Sequence, residues 1–150
     1  MLWRQPYETR ILRLIACPLT SVMSLDRTEQ RLPEVCIAGF GFSAVNDQNL
    51  WWKLFQSEFP DDLRIRRVFI FDVVEVEDIK SALSLVPPSE ADRCFVIEDP
   101  NHVWADLVHP EKEHHSFAAI IENGIIPLMM VGPPTEDAWE EFSREWRLRT

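Results

Sequence analysis

The dipeptide Asn123-Gly124 joins two apolar runs, residues 117–122 and 125–131, and restricts the fold more than any other short segment of the chain. Asparagine and glycine both tolerate the positive φ angles that a two-residue type I′ turn requires. The two runs are therefore predicted to form an antiparallel β-hairpin. Because Pro127 has no backbone N–H to donate, we expect the second strand at or near an edge of the sheet.

A helix is predicted after the hairpin. The Gly-Pro-Pro break at 132–134 is followed by Thr135, a favourable N-cap residue, and then by acidic residues that suit the positive end of a helix dipole. Trp139, Phe142 and Trp146 recur at helical spacing and give this segment one apolar face. An amphipathic helix is therefore predicted to follow the hairpin and to close the fold.

Upstream of the hairpin, the spacing of apolar residues alternates between the pattern of a strand and that of a helix. Strands are predicted at 35–42, 64–74 and 94–97, and helices at 49–59 and 79–86. The middle strand becomes continuously apolar, as a strand covered on both faces does. The resulting order of strand, helix, strand, helix, strand, loop, hairpin and helix predicts an α/β fold with a mixed sheet.

Length and composition fit one globular domain. The chain has 150 residues, 46% of them hydrophobic, and a net charge of −10 that repels phosphate backbones and makes nucleic acid an unfavourable partner. Its three cysteines, Cys17, Cys36 and Cys94, contain no Cys-x-x-Cys pair, which argues against a secreted disulfide scaffold. No apolar run reaches the roughly 18–20 residues that cross a bilayer. We expect a protein that does not span a membrane, although it could be peripheral to a membrane complex.

The beginning of the chain has a different character from the remainder. We expect residues 1–33 to be an N-terminal arm and residues 34–150 to be the folded domain. The arm is rich in arginine and poor in acidic residues up to Asp26, which is typical of a mitochondrial transit peptide. The alternative, which we favour, is a retained arm that packs on the domain or on a neighbouring protein.

The element order and the segment from Phe117 to Phe142 resemble the thioredoxin-like superfamily, in the form found in peroxiredoxins. This segment contains an apolar strand, a glycine turn, a second strand, a glycine and an acidic helix. The resemblance covers residues 33–148 and implies a three-layer sandwich, with a mixed sheet, a C-terminal hairpin and a closing helix. Residues 41–44 and 52–55 are also similar to the thioredoxin-like assembly factors of mitochondrial ATP synthase. That similarity implies a mitochondrial location, with the cytoplasm as the alternative.

The resemblance also implies where a reactive cysteine belongs. It is the start of the helix after the first strand, where this chain has Ser43, Ala44, Val45 and Asn46. A helix N-terminus stabilises a thiolate, but a serine hydroxyl cannot form a disulfide. The superfamily further places a cis-proline just before the hairpin, and that position falls at His115-Ser116. We therefore expect a redox-inactive domain without catalytic residues or cofactors, which acts as a structural or assembly subunit bound to other proteins.

The cysteines that are present are expected to have structural roles. Cys36 and Cys94 lie in predicted strands, where a buried cysteine behaves as a small hydrophobic side chain. Cys17, next to Pro18 in the arm, is the thiol that we expect to be most exposed. None of the three is assigned a catalytic role.

A second interpretation treats residues 39–44, Gly-Phe-Gly-Phe-Ser-Ala, as a dinucleotide-binding turn. Gly39 and Gly41 would then approach the cofactor, and Asp72 would bind a ribose hydroxyl. Bulky phenylalanines flank these glycines, and Asp72 follows Gly39 by 33 positions rather than about 20. This alternative would make the chain a small-molecule or nucleotide-binding enzyme domain.

All four histidines lie in the polar segment 99–115, together with several carboxylates. Imidazole and carboxylate groups suit zinc or iron. Since no two of these residues have a recognised ligand spacing, we expect a solvated loop and no metal site.

Overall fold

The computed structural model describes residues 9–18, 22–25, 29–30, 33–42, 45–108 and 116–149. Within these ranges the chain forms eight strands, four α-helices and one 3-10 helix over Pro88–Arg93. The strands are Arg10–Ala16 (β1), Val22–Ser24 (β2), Glu29–Gln30 (β3), Val35–Phe40 (β4), Ile65–Phe71 (β5), Cys94–Glu98 (β6), Ser116–Glu122 (β7) and Ile125–Val131 (β8). The α-helices are Val45–Glu58 (α1), Val76–Leu85 (α2), Val103–Val108 (α3) and Glu136–Arg147 (α4).

The eight strands form one mixed sheet in the order β1-β8-β7-β4-β5-β6-β2-β3. Strands β4, β5 and β6 are parallel, and β7 and β8 form an antiparallel hairpin beside β4. The parallel connections pass through α1 and through α2 with the 3-10 helix, as βαβ crossovers require. The predicted α/β architecture, with a mixed sheet, a C-terminal hairpin and a closing helix, is confirmed.

Helices cover both faces of this sheet and give it three layers. On one face, Trp51 of α1 and Phe142 of α4 pack in a cluster with Ile37 and Ile120 of the sheet. On the opposite face, Trp104 of α3 stacks on Phe117, with ring centroids 5.6 Å apart. Burial of large aromatic side chains on both faces therefore holds the layers together. No helix in the described ranges has the length and apolar character needed to cross a membrane.

The hairpin has the predicted turn. Asn123 and Gly124 have φ angles of +50° and +79°, and the flanking residues Glu122 and Ile125 pair directly. Strand β8 is second from the edge, because β1 pairs with its outer side. The pairing of β1 with β8 is interrupted opposite Pro127, where Leu14 adopts a φ of +50° and is 81% exposed.

The segment predicted as the N-terminal arm contributes strands to both edges of the sheet. Strand β1 pairs with β8 at one edge, whereas β2 pairs with β6 at the other and carries β3 on its outer side. Strands β1 and β2, which are consecutive in the sequence, thus lie on opposite sides of the central strands. Residues 1–8 lie outside the described residues.

The closing helix begins where the sequence predicts. The hydroxyl oxygen of Thr135 accepts a hydrogen bond from the backbone N–H of Ala138 at 3.1 Å, which is N-cap geometry. Phe142 and Trp146 are buried on the sheet side of α4. The cap and the apolar face together fix the register in which α4 packs on the hairpin.

Candidate functional site at the start of the first helix

A tight turn connects the end of β4 to α1. Gly41 has a φ of +63°, and its N–H donates to the carbonyl oxygen of Ile70 at 2.7 Å. Nothing lies within 4 Å of the position that a Cβ would occupy at Gly41, so the backbone conformation, rather than space, is what favours glycine. This turn directs the chain from the carboxyl end of β4 into the first turn of α1.

The segment 43–46, where the resemblance implies a reactive cysteine, lies only partly within the described residues. Val45 and Asn46 are the first two residues of α1, whereas Ser43 and Ala44 lie outside the described residues. Val45 packs at the margin of an apolar cluster, as does Phe42, whose ring centroid is 5.1 Å from that of Phe69. The described part of this helix start therefore presents an apolar valine and an amide, and no thiol.

The position implied for a cis-proline lies at the start of β7. Ser116 pairs with Gly39 of β4 and is fully buried, and its hydroxyl has no hydrogen-bond partner among the described residues. Its carbonyl oxygen accepts from the N–H of Gly132 at 2.9 Å, and the indole N–H of Trp51 donates to the carbonyl oxygen of Gly132 at 2.8 Å. Across the described ranges every peptide bond is trans, and His115 lies outside them.

All three thiols lie in the core rather than at the helix start. Cys36 in β4 and Cys94 in β6 are fully buried, as predicted. Cys17 is the most exposed of the three thiols, as expected, but at 6% exposure it too is buried. Cys17 directly follows β1 and packs in the apolar cluster that contains Cys36 and Trp104, and its N–H donates to the carbonyl oxygen of Gly124 at 2.9 Å.

Burial raises the pKa of every one of these thiols. The pKa is about 11 for Cys17 and about 12 for Cys94, where the Arg67 guanidinium opposes the effect of burial without offsetting it. The pKa of Cys36 is raised further, by burial first and by the neighbouring Cys17 second. Thiol–disulfide exchange proceeds through a thiolate, so these three groups are poor nucleophiles at neutral pH.

A buried polar network, which was not predicted from the sequence, lies beneath α1. The amide of Gln48 donates to the carbonyl oxygens of Ile37 and Val68 at 3.1 and 2.9 Å. Its oxygen accepts from the Arg67 guanidinium at 2.8 Å, and the oxygen of Asn49 accepts from the same guanidinium at 2.6 Å. The network attaches α1 to β4 and β5 at once. The signal that could have revealed it was Arg67 itself, an arginine directly before the continuously apolar part of the strand.

The network continues to the 3-10 helix. The indole N–H of Trp52 donates to a carboxylate oxygen of Glu90 at 3.0 Å, and the same oxygen is 3.9 Å from Arg67. The Arg93 guanidinium lies 5.0 Å from the centroid of the Trp52 ring and donates to the carbonyl oxygen of Ile65. Burial lowers the pKa of Arg67, yet an arginine remains charged in proteins. Of these two nearly buried cations, Arg67 has the partly exposed Glu90 carboxylate 3.9 Å away, whereas Arg93 donates to the side-chain oxygen of Gln56 and to backbone carbonyl oxygens.

The residues of the dinucleotide interpretation are spread along the sheet. Gly39 lies within β4, paired with Phe69 and Ser116, and Gly41 lies in the turn beyond it. Asp72 follows β5, its side chain is 76% exposed, and its carboxylate is 3.0 Å from the imidazole of His102. Gly41 and Asp72 thus follow the carboxyl ends of the neighbouring parallel strands β4 and β5, and a nucleotide site there stays a prediction.

The polar segment after β6 is partly helical. Asp99 is 3% exposed, and its carboxylate accepts hydrogen bonds from the N–H groups of Val103 and Trp104 at the start of α3. Its role in the described structure is that of a helix cap. His109, His114 and His115 lie outside the described residues, within which no cluster of three or more potential metal ligands occurs.

Comparison with known proteins identifies the fold. No protein family profile and no curated protein matches this sequence. Among solved structures, the chain is similar to a putative thiol:disulfide interchange protein DsbE from Chlorobium tepidum, with a TM-score of 0.56 and 16% identity over 91% of this chain and 96% of that one. The exposed lipoprotein thioredoxin Etrx1 from Streptococcus pneumoniae strain TIGR4 aligns with a TM-score of 0.49 and 15% identity, over 83% and 97% of the two chains. The chain has a thioredoxin-like fold.

Proposed function

We propose that this chain is a redox-inactive thioredoxin-like domain that serves as a structural or assembly subunit of a larger, mitochondrial protein complex. The observation that carries the proposal is the state of its thiols. All three are buried and have raised pKa values, and none lies at the start of α1. A disulfide-exchange enzyme needs an accessible thiolate at that place, so the function is better sought in contacts with other proteins.

Apolar side chains on an edge strand support a protein-binding role. Strand β1 is the outermost strand on its side of the described sheet, and Ile11 and Leu14 on it are 43% and 81% exposed. Exposed edge strands and apolar side chains are features that proteins use to pair with a partner. We therefore assign the partner contact to the β1 edge.

The central test is whether the binding of partner proteins to this chain requires a disulfide bond. Tagged protein is captured from its native cells with and without excess dithiothreitol, and the partners are identified in both samples. We expect the same stoichiometric partners in both, because the contacts are non-covalent. Partners that are released by dithiothreitol, or reduction of insulin disulfides by the purified protein, would contradict the proposal.

The β1 contact is tested by an exposed substitution. Leu14→Asp should keep the fold, because the side chain is exposed and aspartate tolerates a positive φ, and should lose the captured partners. Val76→Asp on α2, where the side chain is 51% exposed, is the matched control and should retain them. Fractionation of the tagged protein tests the mitochondrial location separately, and recovery outside mitochondria would overturn that part alone.

A further inference from the structure

A cleft of about 530 Å³ opens at the end of the sheet remote from the start of α1. It lies at the amino ends of β5 and β6, next to the end of β2. Its apolar walls are formed by Leu25, Leu83, Ala91 and Phe95, and its polar groups include Arg66 and Asp92. The volume is within the range of roughly 300–1,000 Å³ that small-molecule sites occupy.

Arg66 is the chemical feature of this cleft. Its guanidinium lies 5.6 Å from the centroid of the Phe95 ring, and the residue is half-buried. Within the described part of the chain, no acceptor forms a hydrogen bond with this guanidinium and no carboxylate forms an ion pair with it. Partial burial, with a smaller effect of Arg93, lowers the pKa of Arg66, and the nearby carboxylates of Asp92 and Asp62 oppose this effect without offsetting it. A cation that has lost part of its hydration and gained no acceptor favours an anionic ligand.

We propose that this cleft binds a small organic monocarboxylate with an apolar chain or ring. The carboxylate pairs with Arg66, whose planar fork of N–H groups matches two carboxylate oxygens. The apolar part of the ligand packs on Leu25, Leu83 and Phe95. The cleft thus offers a cation for the carboxylate and apolar walls for the rest of the ligand, which are the two features that such an amphipathic acid requires.

The surrounding charge favours a single negative charge on the ligand. Asp92 lines the same cleft and repels anions, and the chain as a whole has a net charge of −10. Both effects grow with ligand charge, so phosphates and nucleotides are penalised more than a monocarboxylate. The site is distinct from the turn at residues 39–44, since the two lie at opposite ends of the parallel strands.

Octanoate is the probe for this proposal, and calorimetric titration of the full chain is the measurement. We expect saturable binding to the wild-type protein and to Arg144→Gln, which removes the same charge from an exposed site on α4. Arg66→Gln should bind at least about tenfold more weakly, as expected for loss of a charge-assisted pair. Leu83→Asp, at a position that is 47% exposed, should weaken binding similarly without unfolding the protein.

Several outcomes would overturn the proposal. These are absence of octanoate binding to the wild-type protein, equal affinity in Arg66→Gln, and binding of octanol as tight as that of octanoate. Tighter binding of inorganic phosphate than of octanoate would also contradict it. Circular dichroism of Arg66→Gln keeps the test clear, because an unpaired cation is not needed for folding and this variant should retain the wild-type spectrum.

Discussion

Arg67 is a nearly buried cation, and hydrogen bonds from its guanidinium to neighbouring side chains replace its lost hydration. Removing a guanidinium from water costs several kcal/mol unless hydrogen bonds replace its hydration. Here Gln48 and Asn49 supply those bonds, and Glu90 comes no closer than 3.9 Å. Gln48 also bonds to the carbonyl oxygens of two neighbouring strands. One amide therefore connects the cation, the helix and the sheet.

Gln48→Leu should lower the free energy of unfolding by about 2–4 kcal/mol, because it leaves Arg67 buried with fewer acceptors. Denaturant titration measures this, with Ser57→Ala on the exposed side of α1 as a control that stays near wild type. The double variant with Arg67→Met should lose less than the sum of the two single losses, by about 1–3 kcal/mol. Strictly additive losses would mean that the two side chains are not coupled.

The buried thiols predict a pH dependence of stability. The ordinary pKa of a cysteine is 9.0, whereas folded Cys94 has a pKa of about 12. Between these values the unfolded thiol loses its proton and the folded thiol keeps it, so the native state binds more protons. The free energy of unfolding is therefore unaffected by Cys94 below pH 9.0 and falls as pH rises above it.

Cys94→Ala isolates this contribution. Its free energy of unfolding should fall with pH less steeply than that of the wild type, by about 1.4 kcal/mol per pH unit from pH 9 towards pH 11. Denaturant titrations across this range measure both slopes, and the titrations of lysine and tyrosine cancel in the comparison. Identical slopes would mean that Cys94 ionises as freely in the folded protein as in the unfolded one.

For single residues, the sequence predicted burial correctly where a side chain belongs to an apolar strand pattern. Cys36 and Cys94 were correctly expected to be buried, because they lie in apolar strands. Gln48 and Arg67 were missed, since polar residues are usually exposed and only the pairing of α1 with β5 shows what satisfies them. The burial of Cys17 likewise depends on packing with residues of β4 and α3, which are distant in the sequence.

Secondary-structure elements were likewise predicted where they depend on local residues and missed where they depend on distant ones. The Asn123-Gly124 turn and the Thr135 cap depend on a few neighbouring residues, and both have the predicted geometry. Strands β1, β2 and β3 were not predicted: β1 and β2 are stabilised by pairing with β8 and β6, which are far away in the sequence, and the two-residue β3 pairs only with β2. Such short edge strands have little pattern of their own, and only the register of the neighbouring strand specifies them.

Thr135→Ala should destabilise the protein by about 1 kcal/mol, through loss of the side-chain bond to the first turn of α4. Thr135→Ser keeps a hydroxyl at the same place and should remain within about 0.5 kcal/mol of wild type. Thermal or denaturant unfolding measures both variants. Equal losses in the two variants would assign the effect to the methyl group rather than to the cap.

For the whole molecule, element order predicted the architecture better than any single motif did. A parallel βαβ unit, a hairpin and a closing helix leave few ways to form one sheet with both faces covered, and the observed strand order is one of them. Function was less accessible, because a fold hosts many activities and the described start of α1 carries no thiol. The account therefore depends on the chemical state of those thiols.

The reactivity of the native thiols tests this account most directly. Native protein at neutral pH is mixed with an aromatic disulfide that releases a coloured thiolate, and the release is followed with and without denaturant. We predict that all three cysteines react immediately when the chain is unfolded. In the native state their reaction should be limited by the rate at which the protein unfolds, because all three are buried. A native thiol that reacts within seconds, with reduction of insulin by the same protein, would contradict the account.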